Sequence, residues 1–259
     1  MNNMDKPGKR LRDNGETLAY LRHEPKRPAG PTGIMWLGGF KSDMTGTKAS
    51  ALNDWAQRAD RPFLRFDYFG HGLSSGDFAK GTISRWRADA LDAFDHLTQG
   101  PQILVGSSMG GWIALLVAMA RPERIKGLVL IAPAPDFTQE LMWKSFSPEI
   151  RQEIMTRGAY LRPSAHDEAP YAITRDLIED GRQHLLLGAP IEIGLPVRIL
   201  QGMADADVPW SHAARLVEAL TSRDVTLHLS KDGDHRLSTP QDIERLTQEI
   251  GNLLRQIEG

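Results

Sequence analysis

The 259-residue sequence contains no cysteine, and that absence removes a disulfide framework, a thiolate zinc site and a cysteine nucleophile together. Any nucleophile must be an oxygen or an amine. An excess of one charge is missing too: 31 Lys+Arg stand against 33 Asp+Glu. With no basic stripe along the chain, composition makes no electrostatic case for a nucleic-acid partner. A neutral or small substrate fits better. Long apolar runs are also lacking. No segment reaches the ~18 apolar residues of a membrane span, and Ile113–Ala120, the longest strongly apolar helical stretch, reads as buried protein interior. The opening MNNMDKPGKRLRDNGE has no signal-peptide core. These absences lead to the expectation of a cytoplasmic protein whose first dozen residues form a loosely ordered tail.

Metal and cofactor signatures are scarce as well. The eight histidines are scattered, without His-x-x-Glu-His or similar spacing, so a metal site is not expected. Gly38-Gly39 and Gly70-x-Gly72 lack the third glycine and the βαβ context of a dinucleotide fingerprint. No cofactor is implied.

What is present is alternation. Apolar strand-like runs at Gly33–Gly39, Pro62–Phe69, Gln102–Val105, Ile125–Ile131, Val197–Gln201 and Val225–Leu229 are separated by helical patterns, which predicts an α/β fold with a mostly parallel sheet and helices on both faces. A hairpin near Thr17–Arg22 could add antiparallel edge strands. Trp86, Ala90, Phe94 and Leu97 make one apolar helical stripe, with Arg87, Asp89 and Asp92 off it. Ile243, Leu246, Ile250, Leu254 and Ile257 make another after Thr239-Pro240, where Thr can cap and Pro can begin the helix. Residues 136–190 break the alternation with charged, helix-favouring segments and no obvious strand. They are predicted to be a helical cap inserted into a single domain of residues 1–259.

Gly-x-Ser-x-Gly occurs twice, around Ser74 and around Ser108, so the pattern alone decides nothing. A nucleophile elbow needs a serine on a tight strand-to-helix turn with small neighbours. Ser108 follows the strand-like Gln102–Val105 and precedes an apolar helix. Ser74 follows a glycine-rich loop with no helix after it and reads as a structural turn. A serine hydroxyl is a weak nucleophile until an imidazole takes its proton and a carboxylate orients that imidazole. With such an elbow the partners follow in chain order Ser, Asp or Glu, His, which leaves His212, His228 and His235. His228 lies inside a strand and His212 at the start of a helix, whereas His235 lies in a polar loop after the last strand, where sites gather. Asp205 and Asp207 compete for the acid, and Asp205 is favoured by the resemblance of Gly202–Pro209 to the Gly-x-x-Asp-x-x-Val-Pro pattern usual in hydrolases with such an elbow. Asp207 reads as solvated or helix-capping. Backbone N–H groups of Met109 and Phe40 are the predicted oxyanion donors. His71, ahead of the nucleophile in a turn, reads as structural.

These residues, with Gly46-Thr47-Lys48-Ala49, Arg65-Phe66-Asp67-Tyr68, Trp86-Arg87, Gly100–Ser108, Ala120-Arg121-Pro122-Glu123, Val208-Pro209-Trp210 and Asp234-His235-Arg236, resemble an α/β-hydrolase. The nearest likeness is to the branch of type-ten α/β-hydrolase-domain proteins. The resemblance runs from about Gly33 onward and matches Ser108, Asp205 and His235 to the family's triad. It implies palmitoyl-protein thioesterase or acyl-glucuronide esterase chemistry. The sequence shows no transit peptide, and the segment 136–190 matches less clearly. Met142, Trp143 and Phe146 in that segment are expected to contact an apolar acyl group. A peptidase or carbon–carbon bond hydrolase would use the same triad, and a binding protein on an inactive hydrolase fold is the alternative from another class.

Overall fold

The computed structural model describes residues 6–163 and 170–259. In chain order its elements are β1 (Gly8–Leu11), β2 (Thr17–His23), β3 (Gly33–Leu37), α1 (Thr47–Arg58), β4 (Phe63–Phe66), α2 (Ile83–Leu97), β5 (Gln102–Ser107), α3 (Met109–Ala120) and β6 (Ile125–Ile131). After these come α4 (Pro148–Arg157), β7 (Ala159–Arg162), β8 (Tyr171–Thr174), α5 (Arg175–Gly181), β9 (Val197–Gly202), α6 (Trp210–Ala219), β10 (Val225–Ser230) and α7 (Pro240–Glu258). Eight strands form one sheet in the order β1-β2-β4-β3-β5-β6-β9-β10. It is parallel from β4 to β10 and antiparallel at the β1–β2 and β2–β4 pairs.

The central strands are predominantly apolar because both faces are covered. Successive side chains alternate between two cores: Met35 and Leu37 of β3, with Leu104 of β5 and Leu128 and Leu130 of β6, join one. Ile34 and Trp36, Ile103 and Val105, and Val129 and Ile131 join the other, beneath α1 and α7. α7 begins where Thr239-Pro240 predicts: Thr239 accepts the Asp242 N–H at 3.2 Å, and the Asp242 carboxylate accepts the Thr239 N–H at 3.1 Å.

Two expectations change. The N-terminal tail is not loose from Gly8 on, for β1 pairs with β2. The cause lies on α2, where Asp89 is 1% exposed although the helical stripe left it off the apolar face. A buried carboxylate needs partners; Asp89 accepts the Phe69 N–H at 2.8 Å and pairs with Arg12. Next to it, Arg10 makes a two-bond contact with Asp92 at 2.8 and 3.0 Å. The chain start is therefore held by charge. Residues 1–5 lie outside the described residues.

The inserted segment is not purely helical either. A π-helical turn at Thr138–Met142 and α4 are followed by the antiparallel hairpin β7–β8. Its Tyr160, Tyr171, Ile173 and Thr174 suit a half-buried strand surface, but each run is only four residues long and is masked in the sequence by its charged surroundings. Residues 164–169 of the expected cap lie outside the described residues. Asp136 ties the segment back to the sheet by accepting the N–H groups of Leu186 and Leu187, both at 2.8 Å.

Removing the Arg12 guanidinium leaves Asp89 buried without its cation, so Arg12→Ala is expected to lose about 3 kcal/mol of stability. Arg10→Ala, whose partner Asp92 is more exposed, is expected to lose less than about 1 kcal/mol. Urea unfolding midpoints check both, and equal losses would contradict the account.

Candidate active site

The sheet topology collects the chemistry at one end. Ser108, Asp205 and His235 follow the carboxyl ends of β5, β9 and β10 respectively, where loops of parallel sheets form sites.

Ser108 sits between β5 and α3 at φ 55° and ψ −117°, a strained conformation that costs a non-glycine residue on the order of 1–3 kcal/mol. Its neighbours explain how the turn is tolerated. A Cβ on Gly106 would lie 2.3 Å from the Gly110 carbonyl oxygen, and one on Gly110 would lie 2.1 Å from that of Leu37. Glycines there let α3 start directly over the ends of β5 and β3. The Met109 N–H, first in α3, belongs to the group that a helix leaves without an intrahelical acceptor. A Cβ built on Gly39 would stand 3.5 Å from the Ser108 Cβ, so the loop carrying Phe40 runs beside the serine. Among the described residues the Phe40 N–H has no acceptor. The two expected oxyanion donors thus lie on separate loops, one opening α3 and one following β3.

Asp205 has a side chain with 0% exposure. One carboxylate oxygen accepts the N–H groups of Asp207 at 2.9 Å and Val208 at 2.8 Å, and the other accepts His235 Nδ1–H at 2.8 Å. Burial alone would push its carboxyl upward, but the His235 bond and the Val208 and Asp207 amides hold it below the usual carboxylate range. Occupied at Nδ1, the imidazole keeps Nε2 for another partner. Asp207 is exposed and makes no such bond. Asp205, Asp207 and His235 bring ligand-type atoms within 4.8 Å of one another, but the aspartate–histidine bond already uses the Asp205 oxygen and His235 Nδ1 that face each other.

The two loops are stitched together. The Ala204 N–H donates to the Gly233 carbonyl at 3.0 Å and the Met203 N–H to that of Ser230 at 2.8 Å. Asp234 does not reach the ring; its carboxylate accepts the Arg236 and Leu237 N–H groups, both at 3.0 Å, shaping the turn that carries His235.

The other candidates have structural partners. Ser74 Oγ accepts the Ala19 N–H at 2.8 Å and donates to the Asp67 carbonyl at 2.6 Å. His212 Nε2 donates to the Pro135 carbonyl at 2.7 Å, and Arg245 donates to His228 Nδ1 at 3.3 Å. In the inserted segment, Met142 and Phe146 are buried in the core, and the Trp143 ring packs against Arg182 at 4.8 Å and Arg151 at 5.6 Å. On the loop after β3, the Phe40 ring packs against Phe78, Trp86, Phe137 and Tyr171 at 4.9–5.9 Å between centroids.

Sequence reasoning missed two supporting side chains. Gln201, fully buried at the end of β9, donates from its amide to Asp205 at 3.2 Å and to the Val208 carbonyl at 3.0 Å. A polar residue following the apolar pair Ile199-Leu200, four positions before the acid candidate, was the available signal. Lys48, at the start of α1, donates to the Arg236 carbonyl. Burial, opposed by the charge of Asp234, pushes its ammonium down to about 8. Its short Gly46–Ala49 motif marks the position without disclosing the contact.

A family model described as serine aminopeptidase, S33 (Hydrolase_4) matches residues 44–176. The mouse protein named palmitoyl-protein thioesterase ABHD10, mitochondrial, is 39% identical over 240 residues, which is 92% of this chain and 78% of the relative. The chain belongs to the α/β-hydrolase superfamily, in its ABHD10-like branch. The crystal structure of a putative hydrolase from Agrobacterium vitis S4 superposes with a TM-score of 0.90 at 44% identity, covering 96% of this chain and 98% of that one. Mouse alpha/beta hydrolase domain-containing protein 10 gives 0.88 at 37% identity, covering 97% and 99%. As a member of this ABHD10-like branch the chain is a hydrolase.

The glycine contacts carry a direct test. Gly110→Ala would press a Cβ against the backbone carbonyls of Leu37 and Gly38, and it is expected to lose at least ~2 kcal/mol of stability by overpacking. An unchanged urea midpoint would contradict the close approach of α3 to β3.

Proposed function

We propose that this hydrolase cleaves carboxylic esters or thioesters with an apolar acyl group, through an acyl-enzyme on Ser108. The observation that carries the reading is the buried Asp205 carboxylate bonded to His235 Nδ1 at 2.8 Å on the same sheet end as a strained serine. His235 Nε2 takes the Ser108 proton as the hydroxyl attacks the acyl carbon, and Asp205 stabilises the imidazolium. The developing oxyanion is held by the N–H groups of Met109 and Phe40. The imidazolium then returns its proton to the leaving alcohol or thiol. Water, deprotonated by the same imidazole, releases the acid and restores Ser108. Every proton in this cycle moves through one ring, and the cycle calls for no metal or cofactor.

An apolar acyl chain is favoured by the aromatic group around Phe40, with Phe137 and Tyr171 contributed by the inserted segment. Met142 and Phe146 are buried in the core, and Trp143 is engaged by two guanidiniums. In this reading residues 1–259 form one hydrolase domain with 136–190 as its cap. Thioester chemistry is supported by the named activity of the mammalian relatives. The same relatives are named mitochondrial, so the cytoplasmic expectation gains nothing from them. Among the described residues, no helix is long and apolar enough to cross a membrane.

Ser108→Ala and His235→Ala are each expected to abolish most turnover, with the double variant little worse, because the two form one proton-transfer unit. Independent, multiplying losses would contradict this. Asp205→Asn is expected to lower kcat by on the order of 10⁴, and Asp207→Asn to leave it near the parent value; equal losses would mean that the acid is another residue.

Substrate class is checked by kcat/KM for p-nitrophenyl esters and acyl-coenzyme A thioesters of increasing chain length, beside peptide and amide substrates. Each methylene is expected to add up to ~0.8 kcal/mol, roughly fourfold, until the surface is full. A flat profile, or a peptide cleaved faster than every ester and thioester, would overturn the reading.

A further inference from the structure

The loop that carries Phe40 holds an unusual residue. Lys41 has φ 60°, a left-handed conformation that a lysine does not adopt without restraint. Its N–H donates to Nε2 of His71 at 3.1 Å. His71 is 4% exposed and wedged among Phe78, Trp86 and Tyr68 at 5.2, 5.4 and 5.8 Å between ring centroids. Its other nitrogen, Nδ1, faces the Phe69 carbonyl at 3.0 Å.

These two contacts leave the ring one state. A carbonyl oxygen only accepts, so Nδ1 carries a proton; a backbone N–H only donates, so Nε2 carries none. The imidazole is neutral with its lone pair aimed at Lys41. Burial, opposed by the Phe69 carbonyl, pushes the group below the ordinary histidine range, in keeping with that state. A second contact ties the same two loops: Asp67, four residues before His71, accepts the Met44 N–H at 2.7 Å and the Leu73 N–H at 2.8 Å. The loop after β3 is thus pinned at both ends to the loop after β4.

We propose that His71 is a positioning residue for oxyanion binding, its Nε2 fixing the Phe40–Lys41 peptide and with it the direction of the neighbouring Phe40 N–H. The inference rests on the reading of Phe40 as an oxyanion donor given above. An oxyanion donor acts on charge that develops in the transition state, so misaligning it lowers kcat and leaves KM nearly unchanged.

Two variants separate positioning from packing. In His71→Asn the side-chain amide keeps a donor for the Phe69 carbonyl but no longer reaches Lys41. In His71→Gln the longer amide keeps an acceptor where Nε2 stood. With a chromogenic acyl ester, His71→Asn is expected to lower kcat by about 10- to 100-fold with KM within about threefold of the parent, and His71→Gln to recover most of the loss. Equal losses in the two variants, or a parent-like kcat in His71→Asn, would overturn the proposal. Ser108→Ala run alongside keeps the two claims apart. If it is inactive while His71→Asn is unimpaired, only the His71 assignment falls; if Ser108→Ala turns over normally, the acyl-enzyme reading falls. Should either His71 variant fail to fold, the full-length parent labelled with ¹⁵N-histidine reports directly. A proton on Nδ1 and none on Nε2 of His71 is expected, and a proton on Nε2 would overturn the proposal.

Discussion

The active centre depends on one steric constraint, the approach of the first turn of α3 to the carboxyl end of β3. Gly110 lies where any side chain would collide with the Leu37 and Gly38 carbonyls, and Gly106 is matched to it across the elbow. This contact sets Ser108 in its strained conformation and brings the Gly39–Phe40 loop beside it. The proposed nucleophile and the two proposed backbone donors therefore depend on one packing contact between a helix and two strands. Local strain of this kind persists only where the surroundings over-determine it, and here the surroundings are two buried cores. The acid and the base arrive separately, on β9 and β10, and are locked to each other by backbone hydrogen bonds between their loops.

The proposed triad of Ser108, Asp205 and His235 rests on signals that are local and ordered in the sequence: a strand-to-helix turn with glycines at fixed offsets, an aspartate three residues before Val208-Pro209, and a histidine in the last polar loop, which the fold brings to the Asp205 carboxylate at 2.8 Å. The six core strands were legible for a similar reason, since each carries a short, largely apolar run between helical patterns. What escaped were features defined by partners distant in sequence. β1 is recognisable only once Asp89 is known to be buried 77 positions from Arg12, and helical periodicity placed Asp89 on the wrong face. The hairpin β7–β8 is too short to show alternation against its charged neighbours. Gln201, Lys48 and His71 could be seen as residues, but their work consists of bonds to loops that the fold brings near.

Beside the serine, the cap and the sheet share one aromatic group. Phe40 contacts Phe78 and Trp86 from the body of the fold and Phe137 and Tyr171 from the inserted segment. Phe40, proposed above as an oxyanion donor through its backbone N–H, thus has its side chain in the aromatic group proposed to take the acyl chain. Binding energy gained by the chain can in this way bear on the geometry at the oxyanion. In the aspartate–histidine pair, Asp205 is withdrawn from solvent and His235 is partly open to it.

The central claim is that the acyl group passes through Ser108, and the most direct measurement is intact-protein mass spectrometry after rapid acid quench of enzyme mixed with a long-chain acyl-coenzyme A. A transient adduct equal in mass to the acyl group, mapping by peptide sequencing to Ser108 and absent from Ser108→Ala, is the expected result. Turnover of the thioester with an acyl adduct on another residue, or undiminished turnover by Ser108→Ala, would contradict the account.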